Sequence, residues 1–238
     1  MKIISHKKEN LLEYGVMRAT NVHTIHVRVS DVDSRAREMI EIISNKSWLN
    51  KLDSIDKVSF EELANKTIKK LVEDIFLKID GIVTGEFGEY LVSVSAQEVL
   101  CRCCKHKHVP LAELWNKKVI GNPGFDFHTE AETNFIAFGE AKYSGSTSPH
   151  GEALSQVVDF IDNKKDIEDL HILRKFVSSD AVQNAIRGTK AYVAAFSLNC
   201  KNPLAIFKNA ITSAAFSKLL KHKELYLIGV EVYADKDQ

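Results

Sequence analysis

Apolar and polar positions along the chain change period several times, and each change predicts an element. Residues 1–30 read as strands and turns, after which "DVDSRAREMIEIIS" offers Asp31 or Asp33 as a cap ahead of an apolar-periodic helix. In "SFEELANKTIKKLVEDIFLKID" the predicted cap is Ser59, with Glu62 three residues on as in a capping box. Leu63, Ile68, Leu71, Ile75 and Phe76 form the buried side of that helix. "GEFGEYLVSVSAQEVLCRCC" mixes periods: "LVSVS" alternates like a strand, while Val92, Ala96, Val99 and Cys103 recur at helical spacing. Its length favours a helix, on which Glu89 shares a side with Val92 and Ala96 and points toward the protein, one turn from Glu86.

Strict alternation over residues 134–143 sets Ile136, Phe138, Glu140 and Lys142 on one face of a strand. Phe135, Ala137, Gly139, Ala141 and Tyr143 occupy the other. With a hairpin turn near residues 132–134, antiparallel pairing brings Asp126 across from Glu140. Next, Ser148 is the expected cap and Pro149 the first residue of a helix with Leu154, Val157, Val158 and Ile161 as its stripe. After two further helical segments, "AYVAAFSL" reads as a strand buried on both faces, followed by one helix over "NAITSAAFSKLLKHK" and the strand "LYLIGVEVYA". Strands alternating with helices predict an α/β fold whose mixed central sheet is flanked by helices.

Composition narrows this only a little. A chain of 238 residues, 45% hydrophobic and 27% charged, suits a single globular unit, and no apolar run reaches membrane-spanning length. The expectation is a soluble, cytoplasmic protein with no membrane partner. The formal net charge is zero, so any nucleic acid must be held locally. Lysines cluster at Lys105 and Lys107, Lys117 and Lys118, Lys164 and Lys165, and Lys218, Lys221 and Lys223. There is no phosphate-binding GxxxxGK[ST] loop and no zinc finger, so a motor, if needed, must come from a partner.

The candidate chemistry lies in "GFDFHTEAETNFIAFGEAKYSG", residues 124–145: an aspartate, thirteen intervening residues, then Glu-Ala-Lys. Paired carboxylates bind a hard cation such as Mg²⁺ or Mn²⁺ through oxygen, and a bound cation can activate water against a phosphodiester. A lysine beside them supplies fixed positive charge for the same reaction. The candidate site is therefore Asp126, Glu140 and Lys142, half-exposed on their strands, with Glu89 as a further metal ligand or orienting group, Glu86 as its substitute and Gln156 as an outer candidate. His128 and His150 flank the motif and read as surface histidines. "CRCCKHKH" holds Cys101, Cys103, Cys104, His106 and His108, but its spacing does not fit a compact zinc site; small buried thiols at a helix end, followed by a basic tail, are the simpler account.

Taken together, "GEFGEYL" on a helix, "GFD", and "GEAK" on a strand resemble the PD-(D/E)xK nuclease superfamily over residues 80–235, with "GFD" standing where that group has "PD". Within it the chain looks most like HamA, the nuclease-subunit family of Hachiman anti-phage systems, which works with a superfamily 2 helicase, HamB. The resemblance implies a restriction-endonuclease-like core over residues 81–238, with Asp126, Glu140, Lys142 and Glu89 catalytic. It also implies Mg²⁺ or Mn²⁺ held by Asp126, Glu140 and Glu89, double-stranded DNA as substrate, and a controlling helicase. Residues 1–80, part of the same compact unit, and the surface near residues 101–107 are expected to dock that helicase. Two other readings stand beside this one: a non-cleaving subunit that binds DNA or restrains a helicase, and a metal-dependent hydrolase acting on RNA.

Overall fold

The computed structural model describes residues 1–78, 83–115 and 124–233. Lys117 and Lys118, Pro123 and the end of the last predicted strand at Ala234 lie outside the described residues. The strands are β1 (Lys2–Lys8), β2 (Asn21–Val29), β3 (Lys107–His108), β4 (Phe127–Glu130), β5 (Ile136–Lys142), β6 (Ala191–Leu198) and β7 (Glu224–Val232). The helices are α1 (Val32–Ser44), α2 (Ser54–Lys70), α3 (Gly85–Cys104), α4 (Ala112–Trp115), α5 (His150–Asp162), α6 (Lys165–Glu168), α7 (Leu170–Leu173), α8 (Ser179–Ile186), α9 (Pro203–Ile211) and α10 (Ala214–Leu219).

Among the described residues seven strands join one mixed sheet in the order β1-β2-β7-β6-β5-β4-β3. Its centre, β2-β7-β6-β5, is parallel, and the antiparallel strands β1, β4 and β3 lie outside it. Parallel strands need both faces covered. β6 is buried at all eight positions, as its uninterrupted apolar sequence requires. At one edge, β1 carries Lys2, Lys7 and Lys8 and is mostly exposed, and such charge discourages pairing with another chain. β2 pairs with β7 along its whole length, so the first strands continue the same sheet as the motif strands. Arg35 of α1, only 2% exposed, also bonds Glu98 of α3 at 2.8 Å.

Two helices sandwich the motif strands. α3 lies on the Tyr143 face: a Cβ on Gly88 would come within 2.2–2.6 Å of the Tyr143 ring. α5 lies on the opposite face, where Phe160 meets Phe125 at 5.1 Å and Phe125 meets Phe138 at 5.3 Å. α9 covers that same face further along, its Phe207 packing on Phe196 at 5.9 Å.

Several predicted boundaries move. α2 begins five residues before Ser59, because Asp53 accepts from the N–H groups of Ile55 and Asp56 and is the better cap; Glu62 then pairs with Lys66. Within its predicted stripe, Leu63 and Ile68 are only partly buried, and Ala64 is the buried position. Ser148 does not cap α5: its hydroxyl accepts from Asn199 N–H at 3.0 Å, and Pro149 takes the cap position. Three short helices, α6 to α8, fill the stretch expected to hold two. The single helix expected near the C-terminus is two, because Ser213 accepts from Phe216 N–H and starts α10 afresh. Among the described residues no helix is long and apolar enough to cross a membrane.

Candidate active site

The β4-β5 pairing sets Phe127 opposite Gly139, and the ring of Phe127 fills the space a Cβ on Gly139 would need, at 2.3 Å. Glycine at 139 is thus a packing requirement that holds the register. One step further along that register, Asp126 stands beside Glu140. Its N–H donates to Gly139 O and its Oδ2 accepts from Ala141 N–H, both at 2.9 Å. Both carboxylates therefore share a face near the C-terminal end of β5, the end at which open α/β sheets present their ligand sites.

Lys142 is the last residue of β5. Its Nζ lies 2.9 Å from Glu140 Oε1 and 3.8 Å from Glu89 Oε1, so the sheet and α3 bring these charges together. Close approach of α3 depends on Gly88. Gly88→Val would drive a branched side chain into the Tyr143 ring, and we expect a loss of about 2–3 kcal/mol, measured by urea denaturation.

Two expectations about exposure are corrected. Glu140 is not half-exposed but only 1% exposed, because α5 covers its face of the strand. Glu89 does not point into the protein: its side chain is 49% exposed and reaches Lys142 from the rim. α3 is buried nearly all round from Leu91 to Leu100, so its apolar period is a poor guide to the orientation of its first turn. Glu86 is exposed in that same turn. Gln156 lies one turn before Phe160 on the covering helix and is partly buried, and no hydrogen bond joins it to Asp126, Glu140 or Lys142.

The electrostatics are set by burial and by close carboxylates. Burial, then the neighbouring Asp126 charge, pushes the Glu140 carboxyl well above the usual carboxylate range, against the pull of Lys142. Burial works against the Lys142 ammonium, but Glu140 outweighs it, with help from Glu89 and Asp126, and its pKa is raised. Tyr90 is also raised, by burial and then by Glu113, Glu86, Asp126 and Glu89, which marks an acidic neighbourhood. Glu140 Oε2 is buried without a hydrogen-bond partner. Two ionised carboxylates offer only acceptors, so a proton or a cation is what this atom lacks.

A pH dependence follows. Folding raises the Glu140 pKa, so between its unfolded and folded values the native chain holds more protons than the unfolded one, and stability falls as pH rises. Glu140→Gln removes that term. The Glu140→Gln protein should therefore gain stability relative to the parent as pH rises from about 4, the ordinary carboxylate range. Thermal melts in chelator across pH would read this, and a constant difference would refute it.

Neither family models nor curated proteins match the chain.

His128 is not a surface histidine: it is fully buried, with Nε2 3.1 Å from Asp169 Oδ2 and its ring against Trp115 and Phe138. His150 is half-buried, its Nδ1 donating to Ser148 O at 2.9 Å, and packs on Phe196. His106 likewise turns inward, bonding Thr129 Oγ1 at 2.8 Å and Tyr226 OH at 3.1 Å. Cys101, Cys103 and Cys104 are free and only partly buried, at the end of α3 where Lys105 adopts a left-handed conformation. Beneath the site lies a polar group that no motif announced. Asp166 binds Lys190 and accepts from Tyr192 OH at 2.6 Å, and Lys190 Nζ sits 5.8 Å from the Phe138 ring centre. Lys190 and Tyr192 flank the start of an apolar strand, so only the buried charge itself, visible after folding, identifies it.

Proposed function

We propose that this protein is a metal-dependent DNA nuclease with a restriction-endonuclease-like core, the effector subunit of a Hachiman-type anti-phage system governed by a partner helicase. The observation that carries the reading is the convergence of Asp126, Glu140 and Lys142, with a buried Glu140 oxygen that has no donor. Their oxygen donors suit Mg²⁺ or Mn²⁺, with Asp126 and Glu140 as ligands and Glu89 able to swing in from the rim. The bound cation supplies water activation and charge neutralisation at phosphorus.

Everything else falls to the chain. Glu140, buried on β5, is held at one carboxylate oxygen by Lys142, and Asp126 is held by the Ala141 N–H. Lys142, 19% exposed, stands between the buried carboxylate and solvent, where its ammonium can donate to the attacking water or to a phosphate oxygen. α5 closes one face to water.

The partner reading is supported by the N-terminal part. Ile55 and Val58, 78% and 70% exposed, lie one turn apart on α2 and leave apolar surface open, and His6 of β1 touches Cys104 at the end of α3. Purified protein incubated with supercoiled plasmid and Mg²⁺ is expected to nick it, and co-expression with an adjacently encoded helicase should give a co-eluting complex of lower activity. Binding of DNA without cleavage would replace the nuclease with a non-cleaving subunit. Equal activity of free and complexed forms would remove the restraint.

A further inference from the structure

Three side chains from distant parts of the chain meet at the far end of α3. His6 Nε2 and His23 Nδ1 are 3.0 Å apart, and Cys104 Sγ is 3.8 Å from His6 Nε2. One ligand atom from each lies within 4.8 Å of the others. We propose that His6, His23 and Cys104 form a zinc site, separate from the magnesium site, that pins the edge strand β1 to β2 and to the C-terminal end of α3.

The geometry is close to what the ion needs. Tetrahedral zinc with its usual bond lengths sets two nitrogens about 3.3 Å apart and a nitrogen and a sulfur about 3.6 Å apart, so the two pairs that include His6 need to change by only a few tenths of an ångström, and His23 and Cys104 close from within 4.8 Å. Two imidazoles and a thiol are a borderline-to-soft donor set, which selects zinc over the hard ions suited to Asp126 and Glu140. In the 3.0 Å contact between His6 and His23 one of the two nitrogens must accept, so a lone pair already faces the place an ion would take. His23 is also fixed from behind: its ring stacks on Tyr226 at 5.2 Å, and the Tyr226 hydroxyl is tied to His106 and to Glu224, each at 3.1 Å. Such outer contacts orient ligating histidines. His6 is exposed, so the ion can enter from solvent and a water can take the fourth position. Binding forms two Zn–N bonds and one Zn–S bond, and the Cys104 thiol gives up its proton to solvent.

Glu89 and Cys104 are fifteen positions apart on one helix, about 22 Å along the axis, which keeps this site clear of the carboxylates. It also explains how a zinc site can include a cysteine of the "CRCC" run without using that run as a motif: the other ligands come from a β-hairpin near the N-terminus.

The test uses the full-length protein, stripped with chelator under reducing conditions and titrated with Co²⁺, then with Zn²⁺. Wild type should take up one Co²⁺ with a thiolate-to-cobalt charge-transfer band in the near ultraviolet, displaced by Zn²⁺, with one proton released per ion. Cys104→Ser should lose the band, and His6→Ala and His23→Ala should each weaken binding by at least about tenfold. Because His6 is exposed, its substitution leaves the fold intact, and zinc should raise the melting temperature of wild type but not of His6→Ala. Asp126→Asn should keep the band. No thiolate band in wild type, or a band that survives Cys104→Ser and disappears in Cys103→Ser, overturns the assignment.

Discussion

In Glu140→Gln, magnesium-dependent nicking of supercoiled plasmid is expected to fall by at least about a hundred- to a thousand-fold, while the fold persists. The substitution keeps the shape of the buried side chain and removes its charge. That matters because Glu140 is 1% exposed, and truncation to alanine would leave a hole beneath α5 as well as remove a ligand. The amide also offers its own donor, relieving the orphaned oxygen and the repulsion from Asp126, so the variant should be inactive yet no less stable. Activity and stability moving in opposite directions distinguishes a site residue from a packing residue. Lys142→Met gives the companion result: the aliphatic stem stays, the charge goes, and cleavage should collapse without unfolding. Asp126→Asn should weaken Mg²⁺ or Mn²⁺ binding in calorimetry. If Glu140→Gln and Lys142→Met both cut plasmid as well as the parent, the active-site assignment fails.

Phe138→Ala should have the largest effect on stability, a loss of about 3–5 kcal/mol in urea denaturation. Phe138 is fully buried on the same face as Glu140, ringed by Phe125 and His128 at 5.3 Å and Tyr192 at 5.9 Å, with the Lys190 ammonium 5.8 Å above its ring. Truncation removes this packing and the shield over the Asp166–Lys190 pair, so buried charge as well as apolar surface would be left poorly matched. Its four partners come from two stretches of chain far apart in sequence, 125–128 and 190–192, so no local repacking closes the gap. A loss below about 1 kcal/mol would mean that this face collapses easily and is not the rigid support the site needs.

Much of this was legible beforehand because it depends on short-range rules. Alternation over residues 134–143 predicts which side chains share a face, and a short turn then leaves one antiparallel register, so Asp126 beside Glu140 followed from the chain alone. The all-apolar "AYVAAFSL" could only be a strand covered on both sides, as β6 is. Cap residues misled at Ser59, which lies inside the helix that Asp53 starts, and at Ser148, whose oxygen is claimed by the Asn199 N–H.

Burial and partnership between distant segments were not legible, since a period of two or of 3.6 says which residues share a face but not what will cover it. That is why His128 reads as a surface residue and proves to be core, and why Glu89, inward by its helical period, stands at the rim. It is also why His6, His23 and Cys104, far apart in sequence, could not be connected. By itself the sequence determined the α/β class, the motif hairpin and the identity of its three charged groups, because local backbone geometry controls each of them. Only the tertiary structure decided that Glu140 is buried and short of a partner, that Gly88 lets α3 bring Glu89 to Lys142, and that the N-terminal strands extend the same sheet, because desolvation and close packing arise only when segments remote in the chain meet.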